Sequence, residues 1–260
     1  MKQTQICIAL SRNAASYLDF LLTTIKQTEN IDRFQFLLGI NHDVNSQEIR
    51  NIVDNHKIDA VIIDANPGNS YGSSNHGLAL DILFSHVTAE YCIMADVDIA
   101  FVCKNWFEKF LACLNDKCVI VGTEYDGPKY FDFPNVICAM FKTAVVKEAG
   151  VLFKPEGHYL TIDEHNASIY SRTPGDVILL DTGSELPRKL KTAGYMGNAL
   201  KLHRTSSDKA IVVKGIRGEE YHLNNCPILT HIGRSYTRQF GKHEDAIAWE
   251  KAVRKFNELL

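Results

Sequence analysis

Four short, largely apolar stretches in the first hundred residues each break off at polar side chains, and this pattern limits the fold more than any other feature. Ile6-Cys7-Ile8-Ala9-Leu10 stops at Ser11-Arg12-Asn13, and Phe34–Ile40 stops at Asn41-His42-Asp43. Ile58–Ile63 stops at Asp64, and Tyr91–Ala95 runs into Asp96-Val97-Asp98. Short, largely apolar stretches of this kind read as strands of a buried sheet. Between them, Tyr17, Leu18, Leu21, Leu22 and Ile25 recur at helical spacing, and Ser46–Asn55 and His76–His86 have helical character. Alternation of this sort predicts an α/β fold with a mostly parallel sheet and helices on both faces. Ligands of such sheets bind beyond the carboxyl ends of the strands. Every strand of the first half therefore delivers polar side chains to one ligand edge: Asn13, Asn41, Asp64, Asp96 and Asp98.

The second half is less regular. Trp106–Leu114 and Val145–Ala149 read as helices, and Cys118–Gly122 and Asn135–Phe141 as strands. Residues 154–176 are polar, contain Gly157, Pro174 and Gly175, and read as one long loop. A short apolar run, Val177–Leu180, ends at Asp181. A helix is expected over Ser184–Ala193, capped by Ser184, with Pro187 in its first turn and Gly194 in the left-handed position after its end. In 243–260, Trp249, Val253, Phe256 and Leu260 share one face at spacings of a helix. Its acidic and basic residues balance, which suits packing on the domain or a second subunit better than a membrane surface.

The bulk numbers exclude several classes. The chain has 260 residues, a net charge of −3 and 45% apolar residues. No basic stripe of a nucleic-acid binder is visible, and no run approaches the ~20 apolar residues needed to span a bilayer. Seven cysteines, an odd number with no CxxC pair, read as buried free thiols rather than a disulfide framework or zinc site. A soluble protein of a reducing compartment, the cytoplasm or the periphery of a membrane carrying its substrate, is the expectation. Neither a repeat nor a linker divides the chain, and nothing in it sets an oligomeric state.

Asp96 and Asp98 stand two positions apart after a buried strand. In extended backbone such residues point to the same side. Two carboxylates so placed repel unless a cation or protons compensate, and hard oxygen ligands suit Mg²⁺ or Mn²⁺. Such an ion neutralises charge on a diphosphate leaving group. Asp-x-Asp alone is a common surface pattern; its place at the predicted ligand edge gives it weight.

The residues before it add specificity. Gly72-Ser73-Ser74-Asn75-His76-Gly77-Leu78-Ala79-Leu80, followed by Ala89-Glu90-Tyr91-Cys92-Ile93-Met94-Ala95-Asp96-Val97-Asp98, resembles the GT-A glycosyltransferases, especially family 2. In that family a Gly-rich loop and an Asn-x-Gly open a helix that leads to a strand and the Asp-x-Asp element. Pro134–Gly150 is similar to the family's acceptor-side strand and helix. Leu180-Asp181-Thr182-Gly183-Ser184-Glu185-Leu186, running on to Ala193-Gly194-Tyr195, is similar to its segment with an acidic residue before a helix. The likeness covers about residues 4–235.

The resemblance implies a GT-A fold with a smaller acceptor-side subregion, in a single catalytic domain over 1–242. Residues 1–100 would be the nucleotide-binding half and 101–242 the acceptor-side half, with 243–260 as a C-terminal amphipathic helix. It implies a transferase of glycan biosynthesis that moves a sugar from a nucleoside-diphosphate sugar to a glycan or lipid-linked acceptor. Leu10, Asn13, Asn41, Asp64, Ser73, Asn75, Asp96, Val97 and Arg234 would line the nucleotide sugar. Asp96, Asp98 and a late histidine, His231, would hold Mn²⁺ or Mg²⁺. Asp181 would be the base of an inverting reaction. Two departures stand out: Asn41 occupies a usually acidic position, with Asp43 nearby, and Leu180-Asp181 replaces an acidic pair.

Read without the resemblance, Asp181 also suits the positive end of a helix dipole, and Asn75 a helix terminus. His231 closes the apolar run Pro227-Ile228-Leu229-Thr230, unlike the scattered remainder of the ten histidines. Arg234 and Arg238 follow in a segment that reads either as two solvated arginines or as a mobile loop closing over a diphosphate. Two other readings remain open: a sugar nucleotidyltransferase, against which the glycine-free Ser11–Ala15 argues, and a catalytically inactive binding module of the same fold.

Overall fold

The computed structural model describes residues 2–66, 68, 72–124, 133–170, 172–204, 207–233 and 243–260. Its first half follows the expected alternation. β1 (Thr4–Leu10), α1 (Ala15–Thr28), β2 (Phe34–Ile40), α2 (Ser46–His56), β3 (Ala60–Asp64), α3 (Gly72–Ser85) and β4 (Tyr91–Ala95) succeed one another. The four strands pair in parallel: β2 lies between β1 and β3, and β1 between β2 and β4. Side chains alternate between two buried faces. Ile6, Ile8 and Leu10 belong to one core with Phe34, Phe36 and Leu38, whereas Cys7 and Leu37 belong to the other. A strand buried on both faces needs the largely apolar sequence that these segments have.

Beyond β4 the chain continues through β5 (Ile99–Phe101), α4 (Trp106–Cys113), β6 (Cys118–Glu124), β7 (Pro134–Lys142) and α5 (Thr143–Glu148). There follow β8 (Tyr159–Thr161), α6 (Glu164–Tyr170), β9 (Val177–Leu179), α7 (Glu185–Thr192), β10 (Met196–Arg204), β11 (Glu219–Leu223), β12 (Cys226–His231) and α8 (His243–Asn257). Among the described residues ten strands form one sheet, β3-β2-β1-β4-β7-β6-β10-β11-β12-β5, and β8 and β9 form a separate antiparallel pair. The parallel order of the first half gives way to mixed pairing from β7 onward. α1, α4 and α8 cover one face with Trp106 and Trp249 fully buried, while α3, α5, α6 and α7 cover the other.

Three expectations change. Residues 154–176 are not one loop: they contain β8 and α6, with Ile162 between them and Tyr170 at the end of α6 both buried. The polar content that suggested a loop belongs to short elements with one wet face. Ser184 precedes α7 but lies in helical backbone, and its hydroxyl caps nothing. α3 begins at Gly72, so the end of the expected Gly-rich loop is helical. Gly194 does adopt a left-handed φ of 84°. All seven cysteines are free thiols, five of them buried. None of the described helices is long and apolar enough to cross a membrane.

Candidate functional site

The parallel order β3-β2-β1-β4 brings the carboxyl ends of four strands to one edge. At the end of β4 the Asp96 backbone N–H donates to Ile137 O on β7 (2.7 Å). The chain then turns through Val97, whose side chain is buried in the core, to Asp98 and enters β5. β5 pairs antiparallel with β12, Ile99 opposite His231, and Ile232 N donates to Asp98 O (3.2 Å). Sheet pairing thus sets a histidine 133 positions downstream beside the Asp-x-Asp turn. His231 Nε2 lies 3.4 Å from Asp98 Oδ1. One ligand atom each from Asp96, Asp98 and His231 lies within 4.8 Å of the others. Two carboxylates and an imidazole fit a small divalent cation with preference for O and N donors.

Charges around this cluster are crowded. Burial pushes the Asp96 carboxyl up to about 6; Asp98 and Asp181 push the same way, while His76 and His231 oppose them. Burial alone would depress His231, but Asp98 and Glu219 outweigh it and hold the imidazolium well above its ordinary range. His76, near the start of α3, reaches Asp96 Oδ1 at 3.5 Å. Glu219, opposite His231 across β11 and β12, takes the other ring nitrogen, Nδ1, at 3.0 Å.

Asp181 is fixed from α3. The Ser73 hydroxyl and the Thr182 backbone N–H (2.9 Å) both donate to Asp181 Oδ1, and the Thr182 hydroxyl donates to Ser73 O (3.1 Å). Gly183 N donates to Phe153 O (2.8 Å). Phe153 N and Lys154 N in turn donate to the Asp81 carboxylate on α3 (2.6 and 3.2 Å). Gly77 permits this contact, since a Cβ there would sit 2.5 Å from Phe153 O. Helix α3, residues 153–154 and residues 181–183 therefore form one interlocked unit.

The other expected residues fall as follows. Asn13 is exposed, with a left-handed φ of 67°. Leu10 is buried in the core, so only its backbone can face a ligand. Asn41 Oδ1 accepts from His42 N (2.7 Å) within its own loop. Asp64 is exposed and accepts from Asn66 N (3.1 Å). Asn75 is half-buried beside His76. Arg234 and Arg238 lie outside the described residues. Glu219 and His76 were not singled out from sequence. Glu219 stands in the polar run Arg217-Gly218-Glu219-Glu220, where no pattern of the sequence marks it.

The mannosyltransferase PcManGT from Pyrobaculum calidifontis, solved with GDP-Man and Mn²⁺, matches 76% of this chain at a TM-score of 0.54 and 12% identity. The fold is that of the GT-A glycosyltransferases. The match takes in 54% of the mannosyltransferase, so the chain spans about half that protein's length. TarS residues 1–349 from S. aureus match 65% of this chain and 54% of their own length, at 13% identity and a TM-score of 0.44. Their complex with UDP-GlcNAc matches 58% and 48%, at 12% identity and a TM-score of 0.43. No protein-family model matches the chain, and neither does any curated protein. Within this GT-A fold, Asp96, Asp98 and His231 form a candidate metal cluster at the carboxyl edge of the parallel strands.

Proposed function

We propose that the chain is a metal-dependent glycosyltransferase that moves a sugar from a nucleoside-diphosphate sugar to a hydroxyl of a glycan or lipid-linked acceptor. The observation that carries this reading is the convergence of Asp96, Asp98 and His231 at the ligand edge of a GT-A sheet. Mn²⁺ or Mg²⁺ bound there would offset charge on the donor diphosphate and on the departing nucleoside diphosphate.

The chain's own groups then have distinct tasks. The polar ends of β1, β2 and β3, with Ser73 and Asn75 at the start of α3, face the nucleotide sugar. Arg234 belongs to this reading as a diphosphate contact. Asp181 takes the proton of the acceptor hydroxyl while its oxygen attacks the anomeric carbon and the bond to the diphosphate breaks. This is an inverting displacement. Ser73 and Thr182 support the assignment by orienting the carboxylate before substrate arrives. In this reading 1–242 acts as one catalytic unit, with the acceptor on the 101–242 side.

Incubation of the purified protein with a panel of nucleoside-diphosphate sugars and Mn²⁺ tests the proposal through the nucleoside diphosphate released. Release that needs Mn²⁺ and disappears in Asp98→Ala is expected. Consumption of pyrophosphate instead would identify a nucleotidyltransferase. Absence of both, with no metal-dependent nucleotide binding, would leave a binding module.

A further inference from the structure

The geometry points to Glu219 as a positioning residue for the metal site: its carboxylate holds His231 Nδ1–H, so that Nε2 is the nitrogen presented to the cation beside Asp98. The inference rests on the metal-site reading above and concerns a residue that contributes no ligand atom to the cluster.

An imidazole has two nitrogens, and only the one without a proton can bind a metal. Which one is free depends on what the other donates to. Here the two nitrogens face different carboxylates. Nε2 lies 3.4 Å from Asp98 Oδ1, within the three-residue cluster, and Nδ1 lies 3.0 Å from Glu219 Oε2, outside it. A carboxylate–histidine–metal chain of this kind fixes the tautomer and the ring orientation and raises the basicity of the ligating nitrogen.

Glu219 is itself held in place. The Tyr221 hydroxyl donates to the same Oε2 at 2.9 Å, and Glu219 stands opposite His231 on β12 and Arg204 on β10. The Gly233 backbone passes close to the tip of the ring. A Cβ on Gly233 would lie 3.3 Å from His231 Cε1, and Gly233 has a left-handed φ of 65°, so close backbone approach replaces a side chain there. A glutamate needed only to stitch two strands would not have to meet the outer nitrogen of a candidate ligand.

Mn²⁺ binding to the full chain tests the inference without any sugar transfer. Free Mn²⁺ is followed by its electron paramagnetic resonance signal, with GDP and with UDP present in parallel. Coupling of bound Mn²⁺ to imidazole nitrogen is read by electron spin echo modulation. Glu219→Ala should weaken Mn²⁺ binding by about 10- to 100-fold and diminish the nitrogen coupling. Glu219→Gln keeps an oxygen that accepts from Nδ1–H and should recover most of both. Thermal unfolding of each variant shows whether it remains folded. If Asp98→Ala and His231→Ala lose Mn²⁺ while Glu219→Ala binds it as the native chain does, with undiminished coupling, Glu219 has no positioning role and the metal site stands. Equal loss in the alanine and glutamine variants would likewise overturn positioning through Nδ1. If the native chain binds no Mn²⁺ with either nucleotide, both readings fail together.

Discussion

Asp181 has its proposed role because of what surrounds it. Its Oδ1 already accepts from Ser73 and from the Thr182 backbone, and it adds to the negative potential at Asp96. An amide at 181 keeps the volume and an oxygen acceptor but cannot take a proton. Asp181→Asn is therefore expected to bind nucleoside-diphosphate sugar with nearly native affinity, as measured by calorimetry, while transfer falls by at least ~100-fold. Transfer at the native rate would move the base elsewhere. Asp98→Ala should behave oppositely: it removes a buried carboxylate of the candidate metal cluster, so metal-dependent donor binding itself is expected to be lost. At this scale Asp96, Asp98 and His231 were legible because each ends an apolar run. Glu219 was not, because a lone acid in a polar stretch looks the same whether it faces solvent or an imidazole. Leu10 shows the converse: an apolar residue at a strand end belongs to the core first.

Elements differ in how openly the sequence displays them. β1, β2 and β4 are buried on both faces and read as largely apolar stretches, interrupted only by Gln35 in β2 and by Thr4 and Gln5 at the start of β1. β10 and β11 are mixed strands at the far side of the sheet, and β10 leaves most of its side chains at least partly exposed, so no run marks it. β11 is nonetheless anchored by Glu220, which is fully buried and accepts from Ile211 N (3.0 Å), Val212 N (2.8 Å), Val213 N (3.3 Å) and the His222 ring. Burial pushes this carboxyl up, but His222 and the three backbone donors outweigh it, and its folded pKa lies below the usual 4.5. Its stabilising contribution is therefore complete above about 4.5 and is lost as pH falls through the lower folded value. Hydrogen-exchange protection of the Ile211, Val212 and Val213 amides should fall in that acid window, and Glu220→Gln should remove the dependence; constant protection to pH 3 would refute it. A second element-scale prediction concerns α3. In Gly77→Ala the new methyl meets the Phe153 carbonyl and the Lys154 backbone, an overpacking that costs about 1–3 kcal/mol. Because 153–154 also carry the contact to Gly183, transfer should fall more than stability alone accounts for, read as a lower kcat at temperatures where the variant is fully folded.

The C-terminal helix joins the chain's end to its proposed chemistry. α8 inserts Trp249 against Phe20 of α1, with ring centroids 5.2 Å apart, and the indole N–H donates to the Thr230 hydroxyl (3.0 Å). Thr230 precedes His231 on β12. Asn257 donates to Phe101 O on β5 and to Gln27 on α1, both at 3.1 Å. The helix thus backs the two strands that present Asp98 and His231. The expected face of Trp249, Val253 and Phe256 is turned inward, while Leu260 lies beyond the helix and is exposed. Its packing on the domain was readable from spacing, but its attachment to the strands beside Asp98 and His231 was not, since that depends on β12 pairing with β5 across more than a hundred residues of chain. If α8 were a separate appendage, a chain ending at residue 242 would keep its stability and its metal affinity. The packing implies the reverse. Trp249→Ala should cost ~3–5 kcal/mol, lowering Tm by on the order of 10 °C. Trp249→Phe keeps the ring against Phe20 but loses the bond to Thr230, and should cost far less. Removal of 243–260 should uncover the core around Phe20 and Phe101, raise binding of an apolar dye, and weaken Mn²⁺ binding because β12 loses its backing. A truncated chain with native Tm and native Mn²⁺ affinity would show that β5 and β12 hold their register unaided, and that the catalytic unit ends before this helix begins.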